Sequence, residues 1–243
     1  MPPGRLSAGP WASSAQGPLP ALLVMLTIVT GLVDAVSYLA LGHVFVANMT
    51  GNVVFLGFAL AGAGSLSAPA SLVAIAAFLA GARVGGRLGA RFADRRGLIL
   101  RGGAAVSLAF VVVGALAAAI GGTHVHGWER YTMIAALAVG MGVQNATARR
   151  LAVPDLTTTV LTLTLTGIAA DAHLTPGAIG ALARRAIAVA AMLTGALVGA
   201  VLVIHVDLVV PLVAAAALIA VNALVAQVRS AGAGAAAGWQ RGA

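Results

Sequence analysis

The apolar residues of this chain lie in long runs that are separated by short polar stretches. A helix that crosses about 30 Å of hydrocarbon needs about 20 residues, and it must satisfy its backbone polar groups internally because lipid supplies no water. Runs of this length lie near residues 20–42, 68–90, 99–121, 130–148, 180–204 and 207–228. The pattern predicts an all-α, polytopic membrane protein that contains these six spans.

Two further segments, 44–64 and 154–172, are apolar enough to enter the membrane but begin with polar or helix-breaking residues. They could be full spans, or re-entrant or broken helices. The arginines discriminate between these alternatives, because Lys and Arg accumulate in cytoplasmic loops. If both segments return to the side they enter from, 13 of the 14 arginines lie on one side and only Arg130 lies opposite; if both cross, the best division is 8 to 6. We therefore predict six full spans plus two re-entrant or broken helices, cytoplasmic N- and C-termini, and eight spans as the alternative.

The chain also matches itself at three places in the same order. The matching segments are 81–85 with 195–199 at an offset of 114 residues, 33–35 with 144–146 at 111, and 50–52 with 162–164 at 112. We predict an internal duplication with halves at 20–121 and 129–228, between a disordered N-terminal tail at 1–19 and a C-terminal tail at 229–243. Three spans per half is an odd number, which predicts two halves in opposite orientations, as in many transporters. With eight spans the repeat would be parallel.

The composition excludes a soluble domain. Hydrophobic residues make up 60% of the chain, charged residues 8%, and the mean hydropathy is +1.03, whereas a soluble domain has about 25% charged residues. The net charge of +8 comes from arginines between the apolar runs, so we assign it to orientation in the bilayer and expect no nucleic acid partner. The expected location is a bacterial plasma membrane. Because there is no cysteine, disulfides and thiolate chemistry are excluded.

Asp34 is the only acidic residue well inside one of the six spans. An ionised carboxylate at mid-membrane costs about 2.5–3.5 kcal/mol on insertion scales, so such residues usually face a cavity or a partner. Two interpretations stay open: a role in transport, or a structural hydrogen bond to the repeat-related pair Gln144 and Asn145.

A dense polar break follows Asp34 at residues 47–52, and its counterpart in the second half is a threonine-rich tract at 157–166. Amides and hydroxyls there could satisfy freed backbone groups, or they could line a polar site; a single threonine commonly bonds back to its own helix. The predicted substrate-binding residues are Asp34, Asn48, Thr50, Gly51, Asn52, Gln144, Asn145, Thr158, Thr159 and Thr162.

Other motifs indicate little chemistry. His124, His126 and Glu129 share a short loop without a further convincing ligand, so we expect no metal site. No Walker loop, GxSxG or HExxH motif occurs, and we expect neither an enzyme nor a cofactor. The GxxxG pairs in 81–85 and 195–199 predict close helix packing within the chain, or else a homo-oligomer contact.

Residues 31–57 (GLVDAVSYLALGHVFVANMTGNVVFLG) and 142–167 (GVQNATARRLAVPDLTTTVLTLTLTG) resemble the YoaK-like family of bacterial multi-pass membrane proteins, a domain of unknown function. Leu163 stands where the family pattern usually has a glycine. The resemblance implies location and topology but no substrate. From the residues we hypothesise a permease for a small solute or ion, with a polar site near the midplane. The alternative is a membrane scaffold or assembly factor that does not transport.

Overall fold

The described part of the chain is helical. A computed structural model describes residues 16–93, 95–122, 127–153, 161–170 and 176–231. Its helices are α1 (Leu19–Ala40), α2 (Met49–Leu60), α3 (Ala68–Arg91), α4 (Arg96–Gly121), α5 (Trp128–Leu151), α6 (Leu161–Ala170), α7 (Pro176–His205) and α8 (Val209–Ala231). No strand occurs within these residues. The predicted all-α class is confirmed.

Five helices of the described residues are long and apolar enough to cross a membrane. They are α1, α3, α4, and the segments Gly180–His205 of α7 and Val209–Ser230 of α8. Helix α5 is equally long, with 24 residues, but has charged residues at both ends and Gln144 and Asn145 between them. Helices α2 and α6 are short, with 12 and 10 residues, and they fall in the two segments that begin with polar residues.

Contacts between glycines and backbones define the directions of the helices. Gly81 of α3 packs against the backbone of Val139 in α5, and Gly89 of α3 packs against Arg150 of α5, so these two helices run parallel. Helix α7 runs parallel to α1 in the same way, because Gly195 packs against Ile28 and Gly199 against Leu32. All four glycines of the two GxxxG pairs are thus buried against a helix of the same chain.

Helices α1 and α5 run antiparallel, because Gln144 near the end of α5 bonds to Leu26 near the start of α1, and Arg130 at the start of α5 bonds to Leu41 after α1. Helix α4 is antiparallel to α5, with Gly103 beside Thr147 and Gly114 beside Leu137. The starts of α1, α4 and α7 therefore lie at one end of the bundle, together with the ends of α3, α5 and α8.

This end, which we call the arginine-rich end, carries nearly all the positive charge of the described residues. Of the 12 described arginines, 11 lie in the half of the bundle nearest to it, and Arg130 lies at the opposite end. The largest fully buried side chains come from α1, α4 and α5 and the residues directly after α1. Large exposed apolar side chains occur on α2, α3, α4, α6, α7 and α8, a distribution suited to a surface that faces lipid.

Candidate functional site

Asp34 holds the loop that follows α1. Its Oδ1 atom accepts hydrogen bonds from the backbone N–H groups of Val46 (3.1 Å) and Ala47 (2.9 Å), and its Oδ2 atom accepts one from Asn48 Nδ2 (2.7 Å). Asp34 lies six residues before the end of α1, so the loop folds back by more than one helical turn to reach it. The buried carboxylate therefore supplies the partners that this unwound backbone lacks.

Asn52, in the first turn of α2, holds the same loop from the other side. Its Oδ1 atom accepts a hydrogen bond from Phe45 N (2.9 Å), and its Nδ2 donates to the carbonyl oxygen of Phe45. Asn52 is fully buried. Together, Asp34 and Asn52 satisfy four backbone groups of residues 45–47, so the break between α1 and α2 is a defined structure.

An aromatic group packs around this break. The ring of Phe45 stacks with those of Tyr38 and Phe55, at centroid distances of 5.1 Å and 5.7 Å. A Cβ atom on Gly51 would lie 2.6 Å from Phe45 Cδ2. Gly51 is therefore required by the close approach of this ring, while Thr50 beside it is exposed.

A cavity of about 270 Å³ opens between the loop, α1 and α7. Its lining contains three polar side chains, Asp34, Tyr38 and Asn48, and its other walls are formed by Ala35, Leu39, Phe45, Met192, Ala196 and Ala200. Small residues of α7 leave this space open. Of the predicted site residues, Asp34 and Asn48 line the cavity; Asn52 adjoins it through Phe45.

The predicted site residues of α5, Gln144 and Asn145, do not line this cavity. Gln144 is buried and donates to the carbonyl oxygen of Leu26 (3.1 Å) and to Thr30 Oγ1 (2.9 Å). Asn145 Nδ2 donates to the carbonyl oxygen of Met141 (2.9 Å) in its own helix. The described partners of Asp34 are thus loop groups rather than Gln144 and Asn145, because α5 crosses α1 at Leu26 and Thr30, nearer the arginine-rich end.

Only part of the threonine-rich tract lies within the described residues. Thr158 and Thr159 lie outside the described residues, as do Thr157 and the histidines of the 124–126 loop. Thr162 is exposed at the start of α6, where its carbonyl oxygen accepts a hydrogen bond from Thr166 Oγ1 (2.9 Å). Helix α6 packs against α7. No group of three potential metal-ligating residues occurs in the described ranges.

The sequence reasoning missed other buried polar side chains between the helices, among them Asn222, Ser107 and Thr147. Asn222 of α8 is fully buried and donates from Nδ2 to the carbonyl oxygen of Leu22 in α1 (2.7 Å). Four polar atoms are buried without a partner among the described residues: Asn222 Oδ1, Gln144 Oε1 and the hydroxyls of Ser107 and Thr147. Asn222 interrupts an otherwise apolar stretch of α8, and this pattern could have identified it from the sequence.

For Arg130 the sequence predicts only a position on the side opposite the other arginines, and the structure shows that it also contacts the end of α1. Its Nε atom donates to the carbonyl oxygen of Leu41 (2.8 Å), one of the carbonyl groups that the end of α1 leaves without a helical partner. The guanidinium lies directly against Gly42, whose φ of 85° places it in the left-handed region. This contact ties the start of α5 to the end of α1.

The long apolar helices, the buried polar contacts between them and the folded-back loop define a polytopic helical membrane protein. The family described as "Protein of unknown function (DUF1275)" matches residues 22–225, and the chain belongs to this family. The chain is 30% identical over 152 residues to the "UPF0700 transmembrane protein YoaK" of Bacillus subtilis (strain 168), a match that covers 62% of this chain and 65% of that protein. The YoaK-like resemblance is confirmed. No solved structure matches the chain.

Proposed function

We propose that this protein is a permease for a small solute or ion rather than an enzyme. It is built from two inverted halves, each of which crosses the membrane three times. The observation that carries the function is the cavity beside the break between α1 and α2. Three residues with polar side chains, Asp34, Tyr38 and Asn48, belong to the lining of this otherwise apolar space. Transporter sites commonly form near the midplane on interrupted helices of inverted repeats.

The inverted repeat is supported by equivalent contacts in two helix pairs. Gly31 of α1 packs against the backbone of Met192 in α7, and Gly142 of α5 packs against the backbone of Phe78 in α3. The two glycines are 111 residues apart, and their two partners are 114 residues apart. These are the offsets of the sequence repeat. The α1–α7 pair thus has the same packing as the α5–α3 pair, and because α1 and α5 are antiparallel the two pairs point in opposite directions.

Six spans, rather than eight, are supported by the directions of the helices. Helix α1 ends and helix α3 begins at the same end of the bundle, so α2 between them enters and returns as a re-entrant element. Helix α5 lies alongside α3 in the same direction, which supports its crossing despite its polar residues. The buried positions of Gln144 and Thr147 keep these side chains away from lipid.

The orientation follows from the charges. We place the arginine-rich end, with the start of α1 and the end of α8, in the cytoplasm of a bacterial cell, because arginines are retained on the cytoplasmic side of the plasma membrane. The cavity beside Asp34 then lies on the outer side of the midplane, where the sequence predicted the polar site, because Asp34 is only six residues before the end of α1. The loop that the aspartate holds would face an incoming solute.

Uptake into proteoliposomes tests the permease function, with a broad screen of small solutes and ions. Ala200→Phe should fill the cavity from α7 and abolish any uptake found for the wild type. Leu197→Phe is the matched control, because Leu197 lies on the same helix but is 61% exposed toward the surroundings. Unchanged uptake by Ala200→Phe would show that the cavity is not the route or the binding site.

A second candidate, a scaffold or assembly factor that does not transport, is favoured by one observation. Both oxygens of Asp34 and both polar atoms of the Asn52 amide are engaged by the chain itself. In this case the polar residues serve only to fold the break. A wild-type protein that transports none of the screened solutes, while substitutions at Asp34 lower its stability, would favour this candidate.

A further inference from the structure

A second cavity, of about 460 Å³, lies between α4 and α8 at the arginine-rich end. It is lined by Phe92, Leu98, Arg101, Gly102, Ala105, Ala223, Leu224 and Gln227. Neither the permease function nor the repeat uses it. Its walls combine one cation, one amide and a largely apolar remainder.

Arg101 is the charged side chain in this lining. It lies five residues into α4, which places it roughly 7 Å inward from the first residue of that helix. It has no hydrogen bond or ion pair with the residues that the structure describes, and the described carboxylates, Asp34, Glu129 and Asp207, lie nearer the opposite end. An arginine within a membrane helix favours an anionic partner, and the described residues supply none, so this position suits a bound anion.

The remainder of the lining is suited to a hydrocarbon chain. Leu98, Ala105 and Leu224 present apolar surface along α4 and α8, and a Cβ atom added to Gly102 would meet no other atom within 4 Å. A free inorganic anion would use only Arg101 and Gln227. An anionic phospholipid would use the whole cavity.

We propose that the groove between α4 and α8 is a binding site for an anionic phospholipid. Its phosphate binds the guanidinium of Arg101 and the amide of Gln227, and one acyl chain lies against the apolar wall. Basic pockets between membrane helices on the cytoplasmic side are known to take anionic head groups. The site rests on the proposed orientation of the arginine-rich end but not on transport, so its test is separate from that of the permease function.

Native mass spectrometry of the detergent-purified protein tests this site, with phosphatidylglycerol, phosphatidylcholine and inorganic phosphate as probes. The wild type should retain phosphatidylglycerol in preference to phosphatidylcholine. Arg101→Gln should weaken phosphatidylglycerol binding about tenfold, because a charge-assisted contact to phosphate is lost. Arg87→Gln, at an exposed arginine of the same end but outside the groove, should leave it unchanged.

A second pair of variants tests the acyl part of the site without removing any charge. Gly102→Leu should fill the groove and abolish lipid retention while the protein stays folded, because nothing obstructs its side chain. Gly86→Leu is the control, since a side chain there also meets nothing and lies outside the groove.

Three results would overturn the proposal. One is an undiminished preference of Arg101→Gln for phosphatidylglycerol. Another is lipid retention by Gly102→Leu equal to that of Gly86→Leu. The third is displacement of phosphatidylglycerol by inorganic phosphate at equal concentration, which would identify a site for free phosphate instead.

Discussion

Replacing Asp34 by leucine should destabilise the protein strongly, because two buried backbone donors lose their acceptor. The N–H groups of Val46 and Ala47 both donate to Asp34 Oδ1, and these two residues are buried at 0% and 2% exposure. Each buried donor left without a partner costs about 1–3 kcal/mol. We therefore expect Asp34→Leu to lower the free energy of unfolding by about 4 kcal/mol.

Asparagine at the same position should be tolerated much better. Its carbonyl oxygen can still accept from both N–H groups, and the amide of Asn48 can turn so that its oxygen accepts from the new Nδ2. What is lost is the charge, and hydrogen bonds to an ionised acceptor are roughly twice as strong as neutral ones. Relief from burying that charge offsets part of the loss. We expect Asp34→Asn to lower the free energy of unfolding by about 1 kcal/mol.

Unfolding in mixed detergent and SDS micelles, followed by circular dichroism, measures these differences. Thr50→Val is a suitable control, because Thr50 is exposed near the same break. The expected order of stability is wild type and Thr50→Val, then Asp34→Asn, then Asp34→Leu. A stability of Asp34→Leu within about 0.5 kcal/mol of the wild type, the usual effect of a surface substitution, would refute the assignment of Asp34 as the acceptor for this loop.

Three further expectations follow from the packing and the topology. Gly195→Leu should prevent folding to a monodisperse protein in size-exclusion chromatography, because its side chain would collide with the backbone of α1. Gly57→Leu should remain monodisperse, because a Cβ atom at Gly57 meets nothing within 4 Å. Equal behaviour of the two variants would contradict the α1–α7 packing. A cysteine at Ala93 should resist membrane-impermeant thiol reagents in intact cells while one at Ala63 is labelled, and the reverse would invert the orientation. If Asp34 carries protons during transport, Asp34→Asn should fold normally yet lose the pH dependence of uptake, and retention of that dependence would exclude the proton-carrier role.

The class of this protein is predictable from the sequence because the hydrophobicity of a membrane helix belongs to one continuous segment of about 20 residues. A run such as 99–121 must lie in a helix wherever lipid surrounds it, and the structure has α4 there. The polar break at 47–52 also marked the true start of a short helix, since α2 begins at Met49. The two motif segments likewise identified the family, which the match over residues 22–225 confirms.

The partners of the polar residues were decided by the tertiary structure alone. Asp34 and Gln144 belong to segments that the proposed repeat makes equivalent, yet Asp34 binds a neighbouring loop and Gln144 binds Leu26 across an interhelical contact. Asn222 reaches the carbonyl oxygen of Leu22, 200 positions away in the sequence. A hydrogen bond between helices forms only where a donor and an acceptor atom come within about 3 Å of each other, and the packing of small residues sets where the helices approach closely enough. The sequence by itself therefore determined the all-α membrane class and its long apolar helices, because each helix is a continuous apolar segment, and the helix packing determined which polar groups meet between them.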